Sequence, residues 1–166
     1  MNTFERVIKR VFDFTLALIS LIFFSPLIAL IALLIKWEDS KGDVIYRQER
    51  IGYKGKPFTL YKFRSMRMDA EAGNRPQLFT DGDSRLTKVG AFIRAHHLDE
   101  FPQLWNVIKG EMSFVGPRPE RQFFIDQIME RNPDYVRLYT VRPGLFSYAT
   151  LYNGYTDTIE KMLERL

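Results

Sequence analysis

Two adjacent carboxylates, Asp99 and Glu100, are the side chains of this 166-residue chain best suited to chemistry. They precede the segment "FPQLWNVIKG", so Asp99 is predicted to be the N-cap of a helix that ends before Gly110. Acidic residues favour the first turn of a helix for electrostatic reasons alone, and a purely structural pair is therefore the alternative. Arg94 lies before the pair and Arg118 after it, and this basic context favours a phosphate site.

A phosphate beside two carboxylates requires a cation that offsets their repulsion. A divalent metal such as Mg²⁺ would neutralise the charges and bridge oxygen atoms, with Asp99 or Glu100 as its ligand. One carboxylate could then attack phosphorus while the other holds the metal or moves a proton. The neighbouring His96 and His97 point apart on a helix, so we predict that they are local polar residues rather than a shared metal site.

Basic residues near proline turns and on a predicted strand are candidate phosphate or nucleotide ligands. In "GPRP" the flanking prolines present Arg118 rigidly, which suits bidentate phosphate binding, and Arg142 precedes a similar turn in "VRPG". In "YKFRSM" a strand would place its two cations on the same side. Each cation alone also fits a solvated surface role. The complete candidate set is Lys62, Arg64, Arg94, Arg118 and Arg142.

An apolar run, "VFDFTLALISLIFFSPLIALIALLI", covers residues 11–35 and contains 20 apolar residues out of 25. Its single ionisable residue is Asp13. As a helix it would be roughly 37 Å long, enough for a hydrocarbon core of about 30 Å. A soluble core helix this apolar would need a larger domain around it, so the run predicts membrane association.

Ser25 and Pro26 interrupt this run. Proline lacks an N–H and bends helices, and the Ser25 hydroxyl can satisfy a carbonyl one turn earlier. Basic residues flank the run on both sides, which by the positive-inside rule would place both ends in the cytoplasm. Charge and proline alone leave two topologies open, a kinked spanning helix and a re-entrant helix-break-helix.

The remainder of the chain predicts a mixed α/β (α+β) domain. Residues 43–52 and 58–66 form a predicted hairpin, residues 85–98, 119–132 and 155–166 predicted helices, and residues 69–83 a polar loop. Some helices are candidate interfacial amphipathic elements, although ordinary core-facing helices fit each one singly. We predict that the chain divides into a membrane-dipping re-entrant helix over residues 1–40 and a catalytic domain on the cytoplasmic face over residues 41–166.

Composition narrows the classes of protein and partner. With no cysteine, the chain has no disulfides, thiol nucleophile or thiolate metal site. The net charge of +4 favours anionic partners, namely phosphorylated substrates or an anionic membrane face. No nucleic-acid-binding motif is present, so we expect no nucleic-acid partner.

Three ordered blocks, "RQERIGYKGKPFTLYKFRSM", "LDEFPQLWNVIKGEMSFVGPRPE" and "VRPG", follow the interrupted apolar run. Together they resemble the bacterial sugar transferase family, the monotopic polyprenyl-phosphate phosphoglycosyl transferases, in its short catalytic form. The resemblance covers about residues 5–145. It implies transfer of a sugar phosphate from a UDP-sugar to undecaprenyl phosphate with release of UMP, the initiating step of surface glycan synthesis at the bacterial cytoplasmic membrane.

The resemblance also implies roles for individual residues. Asp99 becomes the nucleophile that forms an acyl-phosphosugar intermediate, and Glu100 helps to bind Mg²⁺. The family's phosphate and nucleotide contacts fall on Lys62, Arg94, Arg118 and Arg142. The break at Ser25-Pro26 becomes that of a re-entrant helix, with the active site on the cytoplasmic face.

Departures from the family pattern follow Gly144. The stretch "LFSYATLYNGY" keeps Asn153-Gly154 but lacks the family's usual Gln and Arg, and a further C-terminal segment of the family is expected beyond Leu166. The alternatives are a metal-dependent phosphohydrolase and a non-catalytic membrane scaffold. The particular sugar and the formation of a homo-oligomer are left open.

Overall fold

The structure, a computed structural model, describes residues 2–70 and 83–147. Its helices are α1 (Thr3–Glu38), α2 (Lys88–Ala95), α3 (Gln103–Lys109) and α4 (Gln122–Arg131). Its strands are β1 (Ile45–Ile51), β2 (Pro57–Phe63), β3 (Ser113–Val115) and β4 (Gly144–Phe146). Single turns of 3₁₀ helix cover Tyr53–Gly55 and Leu98–Glu100, and a longer one covers Pro133–Thr140. The predicted mixed fold and the β1–β2 hairpin are confirmed.

The long helix α1 begins with a capping box and continues through Pro26. The Asn2 side chain accepts a hydrogen bond from the Glu5 backbone N–H, and the Glu5 carboxylate accepts one from the Asn2 backbone. Ser25 Oγ donates to the Ile22 carbonyl at 2.8 Å, as predicted for the turn before the proline. The helix has 36 residues and would be about 54 Å long if straight.

The surface of α1 is largely apolar and exposed. Of the described helices, α1 is the one that is long and apolar enough to cross a membrane, and 11% of its most apolar 18-residue window is buried. A core helix of a soluble domain would be mostly buried. This exposure therefore argues against a role for α1 as an ordinary core helix.

The chain forms two compact units, and unit 1 comprises residues 2–48, 60–70 and 85–110. Its core joins one face of α1 to β2 and α2 through four buried residues, Ile31, Ile35, Phe63 and Ile93. Glu38, the last residue of α1, accepts hydrogen bonds from the Lys88 and Val89 backbone N–H groups at the start of α2. The end of the apolar helix thus caps α2 and fixes where it begins.

Unit 2 comprises residues 49–59, 83–84 and 111–147 of the described chain. Its core lies between α4 and the 3₁₀ segment, and consists of Ile51, Phe124, Ile125, Ile128 and Tyr135. The helix predicted over 119–132 is present as α4, and its Met129 packs against this cluster beside Phe124 and Ile128. A second sheet pairs β3 with β4 in parallel, with Ser113 opposite Gly144.

The predicted start of the third helix is wrong. Asp99 is not an N-cap, because α3 begins at Gln103 after Pro102, and Asp99 lies inside the separate 3₁₀ turn. Pro102 has no N–H to donate to the Leu98 carbonyl, and Phe101 donates to that carbonyl instead. The predicted end is confirmed, because Gly110 follows the last turn with φ +83°.

Other predictions lie partly or wholly outside the described residues. The helix predicted over 155–166 and most of the loop over 69–83 belong to this part. The division into a membrane element over 1–40 and a catalytic domain over 41–166 stays a prediction.

Candidate active site

Asp99, Glu100 and Lys62 form a charged cluster in unit 1. Lys62 Nζ donates to Glu100 Oε1 at 2.8 Å and lies 3.9 Å from Asp99 Oδ2. The exposed fraction of the side chain is 3% for Asp99, 13% for Glu100 and 17% for Lys62. A buried carboxylate beside a partly buried one is costly unless a cation compensates them, and the ammonium group supplies that charge. The structure thus brings together three residues predicted from the sequence.

The backbone before the cluster turns sharply. His97 has a left-handed conformation, with φ 56° and ψ 18°, and separates α2 from the 3₁₀ turn. Such a conformation is uncommon for a residue other than glycine and redirects the chain. Asp99 is therefore presented by a tight turn rather than by a long helix. His96 Nδ1 lies 2.8 Å from the Phe92 carbonyl, which agrees with a local polar role for this side chain.

The cluster contains two of the oxygen ligands that a Mg²⁺ ion would need. Within the described residues, no group of three or more His, Cys, Asp or Glu side chains is placed to hold a metal. Mg²⁺ commonly takes one or two carboxylates together with substrate phosphates rather than a cage of protein ligands. Asp99 and Glu100 meet that requirement, and Lys62 would have to release Glu100 Oε1 to make this oxygen available.

Arg64 has a different carboxylate partner from Lys62. β2 ends at Phe63, and Arg64 donates to Asp39 Oδ2 at 2.6 Å and to the Asp39 carbonyl at 2.9 Å. The Lys41 backbone N–H and the Arg64 guanidinium hold the pKa of the Asp39 carboxyl below its usual range. The predicted strand geometry applies to Lys62 alone, because β2 ends at Phe63, and the two cations contact different carboxylates. A phosphate contact for Arg64 stays a prediction that would require this partly buried pair to open.

Arg94 lies in the last turn of α2, partly buried, five residues before Asp99 in sequence. Arg118 and Arg142 belong to unit 2, where each sits on a loop next to the β3–β4 pair. Arg50 Nη1 donates to the Pro119 carbonyl and to Glu120 Oε2, both at 3.0 Å. The loop that carries Arg118 is thus held by an ion pair whose side chains are 14% and 5% exposed.

The loops of Arg118 and Arg142 contact each other through backbone atoms. Gly144 N donates to the Pro117 carbonyl at 2.9 Å, and Ser113 N donates to the Pro143 carbonyl at 2.8 Å. A Cβ added at Gly116 would meet the Arg142 carbonyl oxygen and would lie 2.9 Å from Gly144 N. Glycine is required at position 116 because these two segments of the chain approach too closely for any side chain.

We expect Gly116→Ala to push these two loops apart. Overpacking against backbone atoms lowers the free energy of unfolding by about 1–3 kcal/mol. It also weakens the backbone hydrogen bonds that join the Arg118 loop to the Arg142 loop. Thermal unfolding and hydrogen exchange of the Gly144 amide measure the two effects. Gly52→Ala is the matched control, because its added Cβ would meet the Phe58 ring at 3.0 Å and the Lys56 carbonyl oxygen only at 3.6 Å. Gly116→Ala with wild-type melting and wild-type Gly144 exchange would contradict this interpretation.

A small cleft in unit 2 has Arg118 on its wall. Its other lining residues include Tyr135, Tyr139, Val141 and Pro143. Burial, followed by the negative charges of Glu120 and Asp126, raises the pKa of Tyr139 to about 12. Nearby, the Arg142 guanidinium lies 5.6 Å above the centre of the Tyr53 ring. Arg118 thus shares a cleft with two tyrosines, and Arg142 lies over a third.

Several residues that organise the cluster were missed from the sequence. Asn106 is fully buried on α3, and its Oδ1 accepts a hydrogen bond from Tyr61 N, next to Lys62. Arg10 on α1 binds the last carbonyls of α3. No local signal marked Asn106, because helical spacing places it beside Gln103 and Lys109. Arg10 was interpreted only as one of the basic residues that flank the apolar run.

Comparison with known proteins identifies the class. The family model of the bacterial sugar transferases matches residues 4–166, and the chain belongs to this family. An Aeromonas hydrophila relative, named UDP-N-acetylgalactosamine-undecaprenyl-phosphate N-acetylgalactosaminephosphotransferase, is 45% identical over 89% of this chain and 34% of its own length. A Klebsiella pneumoniae relative, named UDP-glucose:undecaprenyl-phosphate glucose-1-phosphate transferase, is 40% identical over 100% of this chain and 36% of its own.

A shorter relative from Bacillus subtilis is 48% identical over 78% of this chain and 72% of its own length. It is provisionally named an undecaprenyl-phosphate N-acetylgalactosaminyl 1-phosphate transferase. The chain thus spans about a third of the two longer relatives and most of the shorter one. The names agree on undecaprenyl phosphate as acceptor and differ in the sugar, glucose or N-acetylgalactosamine.

Proposed function

We propose that the protein transfers a sugar 1-phosphate from a UDP-sugar to undecaprenyl phosphate and releases UMP. The observation that carries this proposal is the buried Asp99 carboxylate beside Glu100 and Lys62, in a chain of this family. Relatives with this reaction in their names cover most of the chain. The reaction would start the synthesis of a surface glycan.

Asp99 acts as the nucleophile in two displacements. Its carboxylate oxygen attacks the phosphorus that bears the sugar, and the bond from that phosphorus to the UMP oxygen breaks. An oxygen of undecaprenyl phosphate then attacks the same phosphorus and restores the free carboxylate. A covalent intermediate lets one small site take a soluble and a lipid substrate in turn.

The other charged residues hold the phosphates. Bound Mg²⁺ would offset phosphate charge and polarise the phosphorus–oxygen bonds, with Glu100 and Asp99 as its protein ligands. Lys62 leaves the carboxylates for a phosphate oxygen as substrate enters. Arg94, Arg118 and Arg142 bind phosphate or nucleotide groups, a role that suits the planar guanidinium.

Membrane association through α1 completes the proposal. In the proposed topology the chain enters the cytoplasmic leaflet and bends back at Ser25-Pro26, a point that the structure spans with continuous helix, and the charged cluster lies at the level of the lipid phosphates. The exposed apolar surface of α1 and the basic residues at both of its ends support this topology. The chain contains no cysteine, so Asn2→Cys and Ser40→Cys each provide a unique label. Both should react only from the cytoplasmic side, whereas reaction from opposite sides would mean a spanning helix.

The test of function is UMP release from a panel of nucleotide sugars with Mg²⁺ and undecaprenyl phosphate. UDP-glucose and UDP-N-acetylgalactosamine are the first two donors, since the relatives' names specify these sugars. Transferase activity predicts lipid-dependent UMP release and a diphosphate-linked lipid product. UMP release without a lipid product would indicate a phosphohydrolase, and no turnover with any donor would favour a scaffold.

A further inference from the structure

Arg10, in the first third of α1, caps the far end of α3. Its Nη1 donates to the Val107 carbonyl and its Nη2 to the Ile108 carbonyl, both at 2.6 Å. The Val107 carbonyl also accepts from Gly110 N at 3.0 Å, whereas carbonyls at the end of a helix, such as that of Ile108, lack a partner in the next turn. The positive charge also complements the negative end of the helix dipole. Arg10 therefore fixes the position of α3 through two directed, charge-assisted bonds.

The chain makes room for this contact at Gly110. A Cβ added there would lie 3.3 Å from Arg10 Cζ, and the φ of +83° favours glycine. The helix thus ends where the guanidinium group approaches it. A lysine could supply the charge at this point but not the planar pair of donors.

α3 connects this cap to the active-site cluster on two sides. Asn106, fully buried on α3, accepts the hydrogen bond of Tyr61 N through Oδ1 at 3.1 Å, one residue before Lys62. Leu104 N donates to the Phe101 carbonyl at 3.1 Å and joins α3 to the turn that carries the two carboxylates. The ammonium group and the carboxylates are therefore both positioned relative to α3.

We propose that Arg10 is a positioning residue for the reaction, and that it acts through Asn106 on Lys62. The inference rests on the proposed transferase function. It differs from a general role in membrane attraction, which any cation at this point of α1 would fulfil. Arg10→Lys separates the two roles, because it keeps the charge and removes the two-donor geometry.

We expect Arg10→Lys to lower kcat about tenfold, with the KM for the UDP-sugar changed less than twofold. Arg6→Lys, the same change at an exposed residue one turn earlier on α1, should leave both constants unchanged. The amide of Tyr61 should also exchange hydrogen about tenfold faster in Arg10→Lys, since its bond to Asn106 is less persistent. This second measurement does not depend on activity.

A double-mutant cycle tests whether Arg10 acts through Lys62. In the Lys62→Met background, Arg10→Lys should lower kcat less than twofold further. A full tenfold further loss in that background would overturn the inference, as would wild-type kcat and wild-type Tyr61 exchange in Arg10→Lys. If the wild type itself releases no UMP, the proposed function fails, and Tyr61 exchange alone then decides the positioning role.

Discussion

Asp99→Asn should lower the rate of lipid-dependent UMP release at least about 1,000-fold. The amide has nearly the volume and shape of the carboxylate, so the buried turn should still form, but it cannot attack phosphorus. Stability should change little, because Lys62 keeps its 2.8 Å contact with Glu100 and lies farther, at 3.9 Å, from Asp99. Initial rates at saturating donor and lipid, together with thermal unfolding, measure the two quantities.

Two further variants support the interpretation of that result. Asp126→Asn makes the same carboxylate-to-amide change at an exposed residue of α4, and this variant should retain normal turnover. Glu100→Gln should raise the Mg²⁺ concentration needed for half-maximal rate, while added Mg²⁺ should not rescue Asp99→Asn. Substantial turnover by Asp99→Asn would exclude Asp99 as the nucleophile.

Lys62→Met should lower both stability and activity. Removing the ammonium group leaves the buried Asp99 and the partly buried Glu100 without this cation, and deleting one partner of a buried pair costs up to about 3 kcal/mol at this partial burial. The same loss removes a donor to the transferring phosphate, so kcat/KM should fall roughly 100-fold. Denaturant unfolding and steady-state kinetics measure these effects.

Lys109→Met is the matched control for this prediction. Lys109 Nζ lies 4.7 Å from the centre of the ring of Tyr61, the residue before Lys62. A cation–π contact at an exposed site contributes only about 0.5–1 kcal/mol. We therefore expect a small loss of stability in Lys109→Met and little change in rate. Equal effects of the two substitutions would contradict a specific role for the Lys62 ammonium group.

The sequence predicted the elements and the residues whose signals are local. The apolar run of α1, the hairpin and the glycine at the end of α3 depend on short patterns, and the structure contains all three. The Asp99-Glu100 pair was visible because two acids stand together among arginines. The predicted N-cap at Asp99 failed because the missing N–H of Pro102 separates a 3₁₀ turn from α3.

Long-range contacts were beyond what the sequence could show. Arg10 and Val107 are 97 residues apart, and Tyr61 and Asn106 are 45 apart, so no local pattern links them. Strand alternation predicted that Arg64 and Lys62 lie on the same side. The strand ends at Phe63, however, and the Arg64 guanidinium donates to Asp39. The geometry of a site depends on such pairings even where its reactive residues can be recognised.

The covalent step on Asp99 is tested most directly by mass spectrometry of the protein after incubation with a UDP-sugar that is a substrate, without undecaprenyl phosphate. The predicted result is an adduct of one sugar phosphate less one water on the peptide that carries Asp99, which disappears when the lipid phosphate is added. The adduct should be absent from Asp99→Asn. Normal lipid-dependent turnover with no such adduct, or with the adduct on another residue, would contradict the mechanism.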